Sequence, residues 1–157
     1  TKLYVLDLTA VRLIDLSTVD VKTIAGGCEN SGENKDGVGT EAQFDRMLGM
    51  SLSSDDSTLY IAGSRNQAIR QMDTATLAVT TLAGSGAVNS DNAIQEGTGT
   101  MVAMFNMPYT VSVSPDGQYV YVADSLNQNI KRVTTGRTCE PQSTPNSQKA
   151  PPLPIYA

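Results

Sequence analysis

The chain contains no histidine and no tryptophan, and only two cysteines among its 157 residues. No apolar run approaches the roughly 20 residues that cross a bilayer as a helix, so membrane insertion is not expected. Without histidine, no Ser-His-Asp relay, Cys-His pair or imidazole-ligated metal can be assembled from this chain. The commonest route to general-base catalysis is therefore closed, and no catalytic residue is assigned; a hydrolase running on carboxylates alone stays open. Cys28 and Cys139 fit neither a CxxC redox motif nor a zinc cluster. They read as two buried free thiols or, if the protein is secreted, as a disulfide. Cations are scarce: 11 Lys and Arg stand against 16 Asp and Glu, a formal charge of −5 that repels polyphosphate. No nucleic-acid partner is expected, because sequence-independent binding depends on clustered Lys and Arg. The chain also lacks an Asn-x-Ser/Thr sequon, an initiator Met and a secretory signal, which reads as a processed or partial product without N-linked sugar.

What the chain does have is a motif stated twice. Ile24 to Ile61 reads IAGG, DGVGTEAQF, MSLSSDDSTLYI in order, and Leu82 to Val122 reads LAGS, EGTGTMVAMF, VSVSPDGQYVYV. Phe44 precedes Tyr60 by 16 positions, as Phe105 precedes Tyr121; one tyrosine recurs as Tyr4, Tyr60 and Tyr121 at separations of 56 and 61. Self-similarity at such a period marks a chain of stacked supersecondary units. Within each unit apolar residues alternate with period two, the pattern of half-buried strands. Ser114-Pro-Asp-Gly117 supplies a preset proline torsion and a glycine able to take positive φ, so the flanking strands fold back as a hairpin. The counterpart, Ser53-Ser-Asp-Asp56, keeps the capping side chains without Pro or Gly. The middle unit is predicted to carry strands at 50–54, 58–63, 68–73 and 78–83. Repeated four-stranded antiparallel sheets are propeller blades, which makes the fold class all-β.

The motifs AlaGlySerGly at 83–86, GluGlyThrGlyThr at 96–100, AlaMetPheAsnMetPro at 103–108, SerProAspGly at 114–117 and TyrValAlaAspSerLeuAsnGlnAsnIleLysArgVal at 121–133 together resemble an NHL repeat. The resemblance covers positions 3–133, and several spaced motifs agree in order. It implies β-propeller blades: a partial blade over 1–44, a full blade over 45–105, a partial blade over 106–136, then a Pro-rich tail or linker over 137–157. Two departures stand out. Leu6 to Ala10 is two residues shorter than its counterparts, and Gly63 replaces the usual Asp in the middle unit. Relatives in this family include scaffolds, RNA binders and lyases whose metal is held by histidines, which this segment cannot supply.

Glycines at 26, 27, 37 and 39, and at 84, 86, 97 and 99, flank Asp36, Glu41 and Glu96. Hard oxygen ligands on glycine-rich turns suit calcium, but these acids are too few, so neither a metal nor a cofactor is expected. The glycines instead allow a long crossing between blades, with Phe44 and Phe105 plugging adjacent sheets and Tyr4, Tyr60 and Tyr121 packing between them. Methionines 47, 50, 101, 104 and 107 gather at the same crossings, as inter-blade packing or as an adaptable binding surface. Lys131 and Arg132 read as a solvated strand edge, and Asp116 and Asp124 as turn residues.

Five of the seven prolines fall in the last 17 residues, among Ser, Thr, Gln and Asn. Such a segment favours polyproline II and suits a linker, an arm across a neighbouring subunit, or a stalk O-glycosylated at Ser143 and Thr144. The blades number a little over two, whereas a closed propeller needs roughly four to eight. The chain is then a piece of a larger propeller, is completed by other subunits, or stacks into an open assembly. The expected function is a non-catalytic structural or protein-interaction module, extracellular or at the cell surface, whose partners are other copies of itself in a larger assembly or fibre. The alternative is a fragment of a closed propeller acting as a ligand-binding scaffold or lyase-type enzyme.

Overall fold

The computed structural model describes residues 1–27, 34–84 and 105–137. Blade 1 comprises strands β1 (Lys2–Asp7), β2 (Ala10–Asp15) and β3 (Asp20–Gly26), paired in that order. After the two-residue strand β4 (Gly37–Val38), blade 2 comprises β5 (Met47–Leu52), β6 (Thr58–Gly63), β7 (Ala68–Asp73) and β8 (Ala78–Ala83), with β4 added outside β8. Blade 3 comprises β9 (Pro108–Val113), β10 (Tyr119–Asp124) and β11 (Asn129–Thr134). Every pairing is antiparallel. The fold is all-β, and among the described residues it is a run of propeller blades in which blades 1 and 3 show three strands and blade 2 shows four, with β4 added.

Three of the four strands predicted for the middle blade match their observed bounds; the first runs over Met47–Leu52 rather than 50–54. Side-chain capping moves that boundary. Ser53 Oγ donates to Asp55 Oδ1 at 2.6 Å and accepts from Thr58 N at 2.9 Å, while Asp56 N donates to Ser53 O, so Ser53 and Ser54 belong to the turn. The blade 3 turn repeats each bond. Ser114 Oγ donates to Asp116 and accepts from Tyr119 N, and Gly117 N donates to Ser114 O. Gly117 has φ 71° and Asp56, its counterpart, φ 57°, so blade 2 tolerates Asp in the left-handed position that blade 3 gives to Gly.

The two-residue shortening at 6–10 falls in a turn. Leu8 and Thr9 alone join β1 to β2, where four residues, Ser64–Gln67 and Ser125–Gln128, join the equivalent strands of the later blades. At the opposite ends, Asp15 and Asp73 each accept hydrogen bonds from the residues of the next turn, on Ser17 N and on Ala75 N and Thr76 N. Among the described residues the apolar core lies between sheets rather than within one. One cluster joins blades 1 and 2 through Val11, Ile24, Ala25, Phe44, Met47, Leu59, Ile61, Met72 and Val79. A second joins blades 2 and 3 through Tyr60, Ala62, Ile69, Ala83, Phe105, Val111, Val120 and Val122.

Arg137 extends the fold past the boundary expected at 136. Its guanidinium reaches back to the blade 2 turn, with Nη1 on Asp55 Oδ2 at 3.0 Å and Nη2 on Ser57 Oγ and Thr58 Oγ1. Arg137, the first residue of the segment read as a Pro-rich tail, thus ties blade 3 to blade 2. Cys28, Cys139, Ser143 and Thr144 lie outside the described residues, as do Met101, Met104 and Glu96.

Candidate interaction surface

Each crossing between blades is built by the same four parts. A glycine ends the outer strand in the left-handed region, Gly26 at φ 72° and Gly84 at φ 100°. A Cβ at Gly26 would stand 2.3 Å from Thr9 O and 2.7 Å from Phe44 Cδ2; one at Gly84 would stand 2.3 Å from Gln67 O and 3.1 Å from Phe105 Cδ2. The missing side chain is therefore what lets Phe44 and Phe105 enter, and both rings are buried, in the first and second cluster respectively. Over each ring sits the cation of the following blade's third strand. Arg70 lies 5.3 Å from the Phe44 centroid and Lys131 5.2 Å from that of Phe105.

The fourth part is a carboxylate, and here the blades differ. In blade 3, Asp124 at the end of β10 is fully buried and lies 3.0 Å from Lys131 Nζ. It also accepts from Asn106 N at 2.7 Å and Asn127 Nδ2 at 2.8 Å. In blade 1 the corresponding pair is Asp7 with Arg12, 3.1 Å apart and more exposed. Blade 2 has Gly63 at that position, and its cation turns to the crossing instead. Arg70 Nη2 donates to Asp36 Oδ1 at 2.7 Å and to Lys35 O at 2.9 Å, while Nη1 donates to Gln43 O at 3.0 Å and to Asn34 Oδ1. Burial pushes the Arg70 guanidinium down from its ordinary pKa, and the neighbouring Asp36 opposes that shift.

Lys131 and Asp124 thus depart from their expected roles. Lys131 is largely buried in an ion pair rather than a solvated edge residue, and Asp124 is its buried partner as well as a turn acceptor. Sequence spacing carries the signal that finds this pair. The separation of five to seven between Asp7 and Arg12, Asp124 and Lys131, and Gly63 and Arg70 recurs in register. Asp36, read as one of the loop acids, is engaged by Arg70 and by Thr81 Oγ1 at 3.0 Å. Arg132 is exposed, as expected of an edge.

The recurring tyrosine separates the covered blade faces from the open one. Tyr4 packs partly buried against the first cluster, and Tyr60 is buried in the second, where loss of solvent raises its phenol pKa. Tyr121 was expected to pack between blades as well, yet it is 43% exposed, against 1% for Tyr60. The reason is position. Each of these tyrosines faces the blade that follows, and nothing described follows blade 3. Ile130 behaves likewise, exposed where its counterpart Ile69 is wholly buried. Blade 1 shows the same exposure on its other face among the described residues. Leu3 and Val21 of blade 1 are about half exposed, while their counterparts Leu59 and Val79 are buried. Met47 and Met50 pack in the first cluster, as inter-blade filling. No group of three or more His, Cys, Asp and Glu able to hold a metal occurs among the described residues.

No protein-family model matches the chain. It is 36% identical over 129 residues to NHL repeat-containing protein 2 of Bos taurus, an alignment covering 78% of this chain and 17% of that protein. It is 30% identical over 131 residues to Protein SUPPRESSOR OF QUENCHING 1, chloroplastic, of Arabidopsis thaliana, covering 80% of this chain and 12% of the relative. In fold it is similar to a solved auxiliary nutrient binding protein of Bacteroides thetaiotaomicron, with a TM-score of 0.71 at 20% identity, covering 84% of this chain and 34% of the other. The chain spans less than a fifth of the length of these curated relatives. With the repeat register, the crossings and these likenesses in agreement, the chain belongs to the NHL-repeat β-propeller family.

Proposed function

We propose that the chain is a non-catalytic scaffold and protein-interaction module whose open blade faces dock further blades, including those of other copies of itself, in an extracellular or cell-surface assembly. The contrast between Tyr121 and Tyr60 carries this reading. A tyrosine that is partly buried at the first junction as Tyr4 and buried at the second as Tyr60 is exposed at the C-terminal face as Tyr121, beside the exposed Ile130. At the N-terminal face Leu3 and Val21 repeat the chemistry of Leu59 and Val79, which line the first junction. One copy's last face therefore suits another copy's first, a head-to-tail contact that gives a ring if it closes and a filament if it does not. Exposed apolar surface at such positions favours association.

Sedimentation velocity over a range of concentrations tests this. Concentration-dependent association is expected, weakened by Tyr121→Asp. A well-folded particle of 16.6 kDa at every concentration would overturn self-association. A second reading is favoured by the coverage of the relatives: the segment belongs to a larger closed propeller acting as a ligand-binding scaffold or lyase-type enzyme. In that case the same two faces are covered by blades of the same chain.

A further inference from the structure

Blade 3 stops one strand short among the described residues, and the two earlier blades define what fills that position. In blade 2, β8 lies antiparallel on the outer edge of β7, with Ile69 opposite Ala83, Arg70 opposite Thr81, Gln71 opposite Thr80, and a register shift between Ile69 and Arg70. In blade 1, β3 lies on β2 the same way, with Val11 opposite Ala25, Arg12 opposite Thr23, and the shift between Val11 and Arg12. The two outer strands share a pattern as well. Val21 and Val79, Thr23 and Thr81, Ile24 and Leu82, Ala25 and Ala83 coincide. Among the described residues β11 pairs with β10 alone, so its outer edge presents the ladder positions that β2 and β7 use for their fourth strand. The following segment, 138–157, contains no Val-x-Thr-Leu-Ala pattern and carries prolines at 141, 145, 151, 152 and 154. Proline has no N–H to give a ladder.

We propose that the outer edge of β11 captures an extended peptide segment of another chain as its missing fourth strand, antiparallel to β11. The peptide carries a branched apolar residue at the position of Val79, an acidic residue at that of Thr80, and Leu-Ala or Ile-Ala at 82 and 83. Main-chain hydrogen bonds along the edge supply affinity, and alternate side chains supply specificity. The acidic preference comes from Arg132. Its counterpart Gln71 donates through Nε2 to Thr80 Oγ1 at 3.1 Å across the ladder. In blade 3 the same position holds an exposed guanidinium, stacked 4.5 Å from the Tyr119 ring centroid, which pairs with a carboxylate in place of a hydroxyl. This site is a sheet edge and is separate from the blade faces, so it stands whether or not copies associate end to end.

The test uses the full chain and two labelled synthetic peptides. One has the sequence of residues 76–84, and the other has Glu at the Thr80 position. Fluorescence polarisation is expected to show saturable binding of both, several-fold tighter for the Glu peptide, with amide shifts in the NMR spectrum concentrated at 129–134. Arg132→Gln, which installs the blade 2 residue, is expected to erase the preference for Glu while leaving the Thr peptide's affinity unchanged. A peptide N-methylated at alternate residues is expected not to bind. Absence of binding at millimolar peptide, shifts centred away from β11, or undiminished binding of the N-methylated peptide would each overturn the proposal.

Discussion

The Gly63 substitution offers a sharp test of how the crossings are held. Arg70 is buried against Phe44 and directs one nitrogen at Asp36, a carboxylate that is half exposed. A hydrogen bond to a charged group contributes about 1.5–3 kcal/mol, and solvent screening of Asp36 places its bond at the lower end. Asp36→Ala is therefore expected to cost about 2 kcal/mol, because Arg70 keeps the carbonyls of Lys35 and Gln43 but loses its anion. Arg70→Met removes the whole arrangement and strands those carbonyls, for a cost of about 3–5 kcal/mol. The informative experiment restores the repeat. Gly63 has no positive φ, and a Cβ there would lie 3.2 Å from Ala68 O, a tight but adjustable contact. Gly63→Asp then places a carboxylate where Asp124 serves Lys131. In that background Asp36→Ala is expected to cost about 1 kcal/mol less, a coupling typical of groups that share one partner. Urea denaturation at pH 7, followed by far-UV circular dichroism because the chain has no tryptophan, reads all four corners of the cycle. If the cost of Asp36→Ala is the same in both backgrounds, to within about 0.3 kcal/mol, the equivalence of the three carboxylate positions is wrong.

Two further expectations concern the crossing glycine and the turns. Gly84→Ala forces a Cβ into backbone at 2.3 Å and a left-handed φ, so it is expected to lose about 2–4 kcal/mol by the same urea assay. Gly27→Ala, with nothing within 4 Å, is expected to stay within about 0.5 kcal/mol of the parent. Asp55, Asp73 and Asp116 are held below the usual carboxylate pKa by hydrogen bonds, from Ser53 and Ser57 to Asp55, from Thr76 to Asp73, and from Ser114 and Gln118 to Asp116. A depressed acid contributes stability that is present above its unfolded value of 3.8 and lost as pH falls through the folded value. Unfolding midpoints are thus expected to drop on acidification below about pH 4, less steeply in Asp116→Asn. A parallel slope for parent and variant would remove Asp116 from this account.

Much of the fold is legible in the chain because strands carry their own punctuation. Period-two alternation places β6, β7 and β8 at their observed bounds, and the Ser-x-Asp caps mark the hairpins. The end of β5 is harder to read, since Ser53 is drawn into the turn by a side-chain bond to Asp55 rather than by hydropathy. The site divides similarly. Phe44 and Phe105 are legible as plugs from their fixed distance to Tyr60 and Tyr121. Arg137's grip on the blade 2 turn is not, because residues 80 apart meet only once two blades are stacked.

The sequence by itself determined the repeat, its period and the all-β class, because each unit's alternation and turn chemistry are local properties of the chain. Tertiary structure alone decided which of its equivalent residues are buried. Tyr60 and Tyr121 have the same place in the same motif; Tyr60 is core because blade 3 covers it, whereas no described blade lies against Tyr121. It likewise decided that Asp36 stands in for the carboxylate Gly63 lacks, a substitution between segments that only packing brings within 2.7 Å of Arg70.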